Sequence, residues 1–157
     1  GLAANTSVTV ESGGKLLASS ANDLAFTLSG TGILDVSGAL GTGTGSMVFT
    51  LAAPDSTVVS ISGGLNIGTG VLSFTDFSFS TVSGFGEGTY TLFGGASSLA
   101  GNLGSGLSGT VGGMGATISL SNFDVILTVV PEPETWGLLT FGLMVVLFLR
   151  RRRTVLY

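Results

Sequence analysis

The sequence predicts an all-β fold: the end of a β-solenoid of the parallel β-helix type, followed by one C-terminal transmembrane helix. Three observations lead there. Gly, Ser and Thr make up 66 of the 157 residues, a composition that favours tight turns and strands over helices. Short segments alternate between apolar and polar residues, as Phe77 and Phe79 do with Ser78 and Ser80, and Tyr90 and Leu92 with Thr89 and Thr91. Residues 136–149, WGLLTFGLMVVLFL, carry no charge and are followed by four consecutive arginines.

In chain order, candidate strands fall at 7–10, 24–28, 32–36, 47–51, 57–61 and 71–75. Phe123, Val125, Leu127 and Val129 then keep one face apolar through four steps of a period-2 pattern, the signature of a half-buried strand. A phrase recurs as SGGKLLA at 12–18, SGTGILDVSGAL at 29–40 and SGGLNIGTGVLSF at 62–74. Gly-flanked short strands of this kind suit a solenoid, in which each coil turns sharply and pairs with its neighbours. The irregular spacing leaves a β-sandwich as the alternative. Residues 94–115 hold nine glycines in 22 residues and read as a flexible loop or very short strands, the least ordered part of the body. An unfinished solenoid exposes its first coil, and no signal-peptide pattern stands near Gly1. The expectation is therefore the C-terminal portion of a longer exported chain.

Charge and residue types narrow the chemistry. Residues 1–135 contain all nine acids and one base, Lys15. An acidic body argues against nucleic acid as a partner. There is no Cys and no His, which removes disulfides, thiolate metal sites and a Ser-His-Asp triad. A Ser-Lys dyad would need Lys15, which reads as an exposed strand end. Glu11, Asp23, Asp35, Asp55, Asp76, Glu87 and Asp124 are spread about one per strand or turn. None forms a calcium-loop pattern, so no metal or cofactor is expected. A glycosidase needs two carboxylates facing one cleft, and no spacing shows such a pair. The GTGTG run at 41–45 lacks the Lys-Ser/Thr and helix of a phosphate loop and reads as a turn. Asn5-Thr6-Ser7 fits a glycosylation acceptor, a triplet common by chance.

The tail divides into three parts. Residues 130–135, VPEPET, hold two prolines in three positions, which keep the backbone extended. They read as a rigid linker between the body (1–129) and an anchor, or as a recognition motif. Residues 136–149 would make a helix of about 21 Å, shorter than the ~30 Å hydrocarbon core. Snorkelling arginines extend such a span, Trp136 suits the headgroup level, and Arg150, Arg151, Arg152 and Arg153 would act as a positive-inside stop at the head of a cytoplasmic tail (150–157). A buried core helix is the competing reading.

The order Val-Pro-Glu-Pro, short apolar helix, arginine cluster, end of chain resembles the PEP-CTERM sorting signal. The resemblance covers residues 130–153 and implies that Pro131, Glu132 and Pro133 are recognised by a membrane-embedded exosortase, a cysteine transpeptidase or protease that cuts near the motif. Glu134 stands where a small polar residue is commoner, and Thr154, Val155, Leu156 and Tyr157 continue past the arginines.

A second resemblance covers residues 74–133. The segments FTDFSFS, GTYTLF, LAGNL and ISLSNFDVILTV are similar to the C-terminal end of autotransporter-associated β-strand repeat proteins, which implies a long extracellular solenoid. Together these readings make the chain a non-catalytic structural or adhesive protein. It would pass transiently through the inner membrane to the cell envelope or extracellular space. Its partners would be the membrane, an exosortase-type enzyme, extracellular polysaccharide, and other copies through β-edges. A specific binder of polysaccharide or ice, and a glycan-active β-helix enzyme, are the alternatives.

Overall fold

The structure is a computed structural model that describes residues 8–11, 13–14, 16–19, 26–131 and 133–153. Its strands are β1 (Val8–Thr9), β2 (Leu16–Ser19), β3 (Phe26–Leu28), β4 (Ile33–Asp35), β5 (Met47–Leu51), β6 (Thr57–Ile61), β7 (Gly64–Leu72), β8 (Phe77–Thr81), β9 (Gly88–Gly94), β10 (Ser98–Leu103), β11 (Ser108–Val111), β12 (Met114–Ser121) and β13 (Asp124–Val130). Two 3₁₀ turns, Ser37–Ala39 and Phe74–Asp76, interrupt them, and the helix α1 (Pro133–Arg153) follows.

The strands lie in three sheets, ordered β1-β4-β7-β10, β2-β5-β8 and β11-β12-β13-β9-β6-β3. Up to β10, strands three apart in sequence are parallel partners: Leu34 opposes Leu65, Met47 opposes Phe77, and Val59 opposes Phe93. Period-2 alternation sends one side of each strand inward. Met47, Phe49 and Leu51 of β5 are buried while Val48 and Thr50 are half-exposed. Phe49 sits at the centre, with ring centroids 5.6 Å from Phe77, 6.5 Å from Phe79 and 5.5 Å from Phe93, all edge-on. Such contacts join the three-stranded sheet to the six-stranded one through the core. Layers approach closely where side chains are missing: a Cβ on Gly63 would collide with the Gly32 carbonyl.

Two expectations are corrected here. The chain is mostly β, but no closed solenoid forms, and with three sheets it is not a two-sheet sandwich. After β10 the winding stops. β12 runs antiparallel to both β11 and β13, and β13 runs antiparallel to β9. The reason is turn length. Val111 pairs with Met114 and Ser121 with Asp124, so each connection is two residues long. Two residues make a hairpin, whereas a parallel return needs about a dozen. Gly112 and Gly113, at φ 57° and 79°, supply the two left-handed positions that a tight hairpin turn requires.

The second correction concerns the transmembrane helix. Among the described residues, no helix is long and apolar enough to cross a membrane. α1 has 21 residues, but its uncharged stretch, 136–149, covers only about 21 Å of a ~30 Å hydrocarbon core. The rest is Pro133, Glu134, Thr135 and the four arginines.

The Gly-rich stretch 94–115 is also not a loop: it contains β10, β11 and the start of β12. The recurrent phrase is only partly a structural repeat. Its second and third copies are layer partners in β4 and β7, whereas the first lies in β2, in another sheet. Lys15, Asp23, Glu132 and the triplet Asn5-Thr6-Ser7 lie outside the described residues, as do parts of the strands expected at 7–10 and 24–28.

Candidate functional site

β13 delivers the Pro-Glu-Pro segment. It runs between two partners, with seven residue pairs to β12 and five to β9. Val125, Leu127 and Val129 point inward and are at most 1% exposed. Pairing continues to the last residue of the strand: Val129 opposes Ala116 and Gly88, and Val130 opposes Gly115. Pro131 then ends the ladder, because it has no N–H to donate. Pro133 opens α1 at the first helical position, where a missing N–H and a fixed φ are tolerated. Only residues 131 and 132 separate an interior strand from a helix.

The structure therefore places Pro131 and Pro133 next to each other at the seam. Trp136 closes the first turn of α1, and Arg150, Arg151, Arg152 and Arg153 form its last turn. The apolar side chains from Leu139 to Leu149 are open: Leu139 is 65% exposed, Phe141 71% and Met144 73%. Gly137 and Gly142 lie within the continuous helix in open space, with nothing within 4 Å of an added Cβ. The Thr140 hydroxyl donates to the Gly137 carbonyl at 3.0 Å. The sequence reading passed over both glycines; the signal was Gly inside an apolar helical run.

Residues 129–153 match the PEP-CTERM protein-sorting motif. A PEP-CTERM motif implies exosortase-dependent sorting to the cell surface, with an exosortase as processing partner. It marks a secreted or envelope-associated protein. No significant match was found among curated proteins or solved structures. The likeness to autotransporter-associated repeats is not shown by any of these comparisons.

Three acids of the body, Asp35, Asp76 and Asp124, accept hydrogen bonds within the fold. Asp76 is fully buried. Its carboxylate accepts from the Ser73 N–H at 2.9 Å, the Ser73 hydroxyl at 3.1 Å and the Gly43 N–H at 3.2 Å. This explains the 41–45 run: its central N–H serves the protein's own carboxylate. Asp35 accepts from the Ser37 hydroxyl at 2.7 Å and N–H at 3.0 Å, and from the Asn66 amide of the next layer at 3.0 Å. The Ser37 hydroxyl bond is the main cause holding the Asp35 carboxyl below its ordinary range, against an opposing push from burial. Asp124 accepts from the Gly95 N–H at 2.9 Å. Among the described residues, no group of three or more acids is placed to hold a metal.

One face of the six-stranded sheet carries hydroxyls in rows. Ser108, Thr117, Thr128 and Thr89 are successive cross-strand partners, and Ser119, Ile126, Thr91 and Thr57 form the next row. The sequence alone shows Thr89-x-Thr91; the cross-strand rows need the register. Ile126 breaks the second row.

Proposed function

We propose that this chain is a non-catalytic structural or adhesive protein of the bacterial surface or extracellular matrix, whose tail is recognised and cut by an exosortase. The observation that carries the reading is the PEP-CTERM motif set directly on the end of a paired interior strand. Pro131, Glu132 and Pro133 are the recognition residues. The tail is held at the inner membrane only transiently and by the processing enzyme, since α1 does not span a bilayer unaided. The catalytic residues belong to that enzyme.

Two features support a binding rather than a catalytic role for the body. Asp35, Asp76 and Asp124 are engaged as acceptors for backbone and side-chain donors. The hydroxyl rows offer an uncharged donor–acceptor surface suited to neutral polysaccharide. The break at Ile126 makes the surface a poorer template for the regular lattice of ice.

The test is intact mass and fractionation of the native protein beside a Pro131→Ala, Glu132→Ala, Pro133→Ala variant. The expected result is a wild type shortened near residue 133 and released, with the variant left at full length. Equal, uncut masses for both would overturn the sorting mechanism.

A further inference from the structure

The junction has a geometric problem. A processing cleft grips an extended segment, but only residues 131 and 132 lie between β13 and α1. More extended chain has to come from one side or the other. Taking it from β13 breaks pairs with β12 and β9 together and exposes Val129, Leu127 and Val125 in turn. Taking it from α1 meets less resistance among the described residues, since Gly137 and the side chains from Leu139 to Leu149 are all exposed. A helix without tertiary packing is marginal in water. Gly137 weakens it one turn in from Pro133, since glycine is among the least helix-favouring residues. The Thr140 side chain adds a bond to the Gly137 carbonyl that competes with regular helix geometry.

We infer that Gly137 is a positioning residue for processing: it lets the first turn of α1 unwind, so that the cleft receives residues 131–137 as extended chain while β13 stays in its sheet. The inference rests on the exosortase reading above. It assigns the recognised stretch to the helix side of Pro-Glu-Pro, and it makes helix stability in the first turn a determinant of the cutting rate.

The experiment measures the cutting rate of full-length protein in cells carrying the processing enzyme, for wild type, Gly137→Ala and Gly137→Pro. An added Cβ at 137 meets nothing within 4 Å, so neither variant creates a clash with the body. Alanine favours the helix, and the expected result is cutting about fivefold slower. Proline breaks the helix at this position, and the expected result is cutting at least as fast as wild type. Amide hydrogen exchange of residues 134–141 reads the helix directly and is expected to slow in the alanine variant. If alanine and proline both slow cutting, the enzyme contacts the glycine itself and the unwinding inference falls. It falls equally if alanine changes nothing while Leu127→Ala, which loosens β13, speeds cutting. If wild type is never cut, the exosortase reading fails instead, a result these variants cannot mimic.

Discussion

The body and the tail are both rich in apolar residues, yet they use them in opposite ways. In the body, apolar positions alternate with polar ones and disappear into a shared core: Phe49, Met47, Leu51, Tyr90 and Leu127 are all fully buried. In the tail, apolar residues are continuous, and those from Leu139 to Leu149 are between 41% and 73% exposed. The tail's pattern is written for another molecule, and the two meet across residues 131 and 132. Folding energy and sorting information are thus kept in separate segments.

The largest contrast comes from truncating one phenylalanine in each region. Phe49→Ala removes a ring that packs on Phe77, Phe79 and Phe93, and the expected loss is about 3–5 kcal/mol of body stability. Phe141→Ala acts on a 71% exposed side chain and should change body stability by less than about 0.5 kcal/mol. Urea denaturation followed by tyrosine fluorescence measures both; comparable losses would mean that the tail packs on the body after all.

A smaller effect is expected at Asp76. Replacing it with alanine strands the Ser73 and Gly43 N–H groups it accepts from, at a cost of about 1–3 kcal/mol. Thermal melts would read this as a lower midpoint, while the sorting of the tail stays unchanged in fractionation.

The smallest effect is pH-dependent. The Asp35 carboxyl is held below its ordinary range chiefly by the Ser37 hydroxyl. A depressed carboxylate contributes stability above its unfolded value and loses it as pH falls through the folded one. Ser37→Ala should therefore cost about 1 kcal/mol at neutral pH. The gap to wild type should start to narrow as pH falls below the unfolded carboxyl's value of about 4, and close once the pH is below the depressed folded value, where Asp35 is protonated in both folded and unfolded chains. Denaturation across a pH series from 7 downward measures it; a gap that does not narrow at all in acid would assign the loss to packing.

Local pattern was legible where it was self-contained. Met47–Leu51 and Thr57–Ile61 are strands with the limits read from their runs of β-favouring residues, and the sorting segment was readable because its three parts are contiguous. What the sequence did not disclose depends on pairing. The glycines of 94–115 looked like slack, yet they form strands because their neighbours lie close: a Cβ on Gly101 would meet the Gly68 carbonyl, and one on Gly109 the Phe74 ring. Val71 looked like the start of a strand, but β7 ends at Leu72 and the chain turns through Phe74–Asp76, where Ser73 and Asp76 bond to each other. The hydroxyl rows are invisible without register, because Thr117, Thr128 and Thr89 are brought together from three separate strands. Gly137 was overlooked for a different reason: an apolar run draws attention to its length and hides its weak point.

The position of β13 also sets how the molecule bears tension. While the tail is held and the body is pulled away, force enters at Val130 and acts along the strand. Its hydrogen bonds to β12 and β9 lie across that direction. The seven pairs on one side and five on the other are therefore loaded in shear and share the load, instead of opening one after another as a zipper would. A pull along β13 would strain these bonds together, whereas the hydrogen bonds of a helix lie along its axis and open in succession.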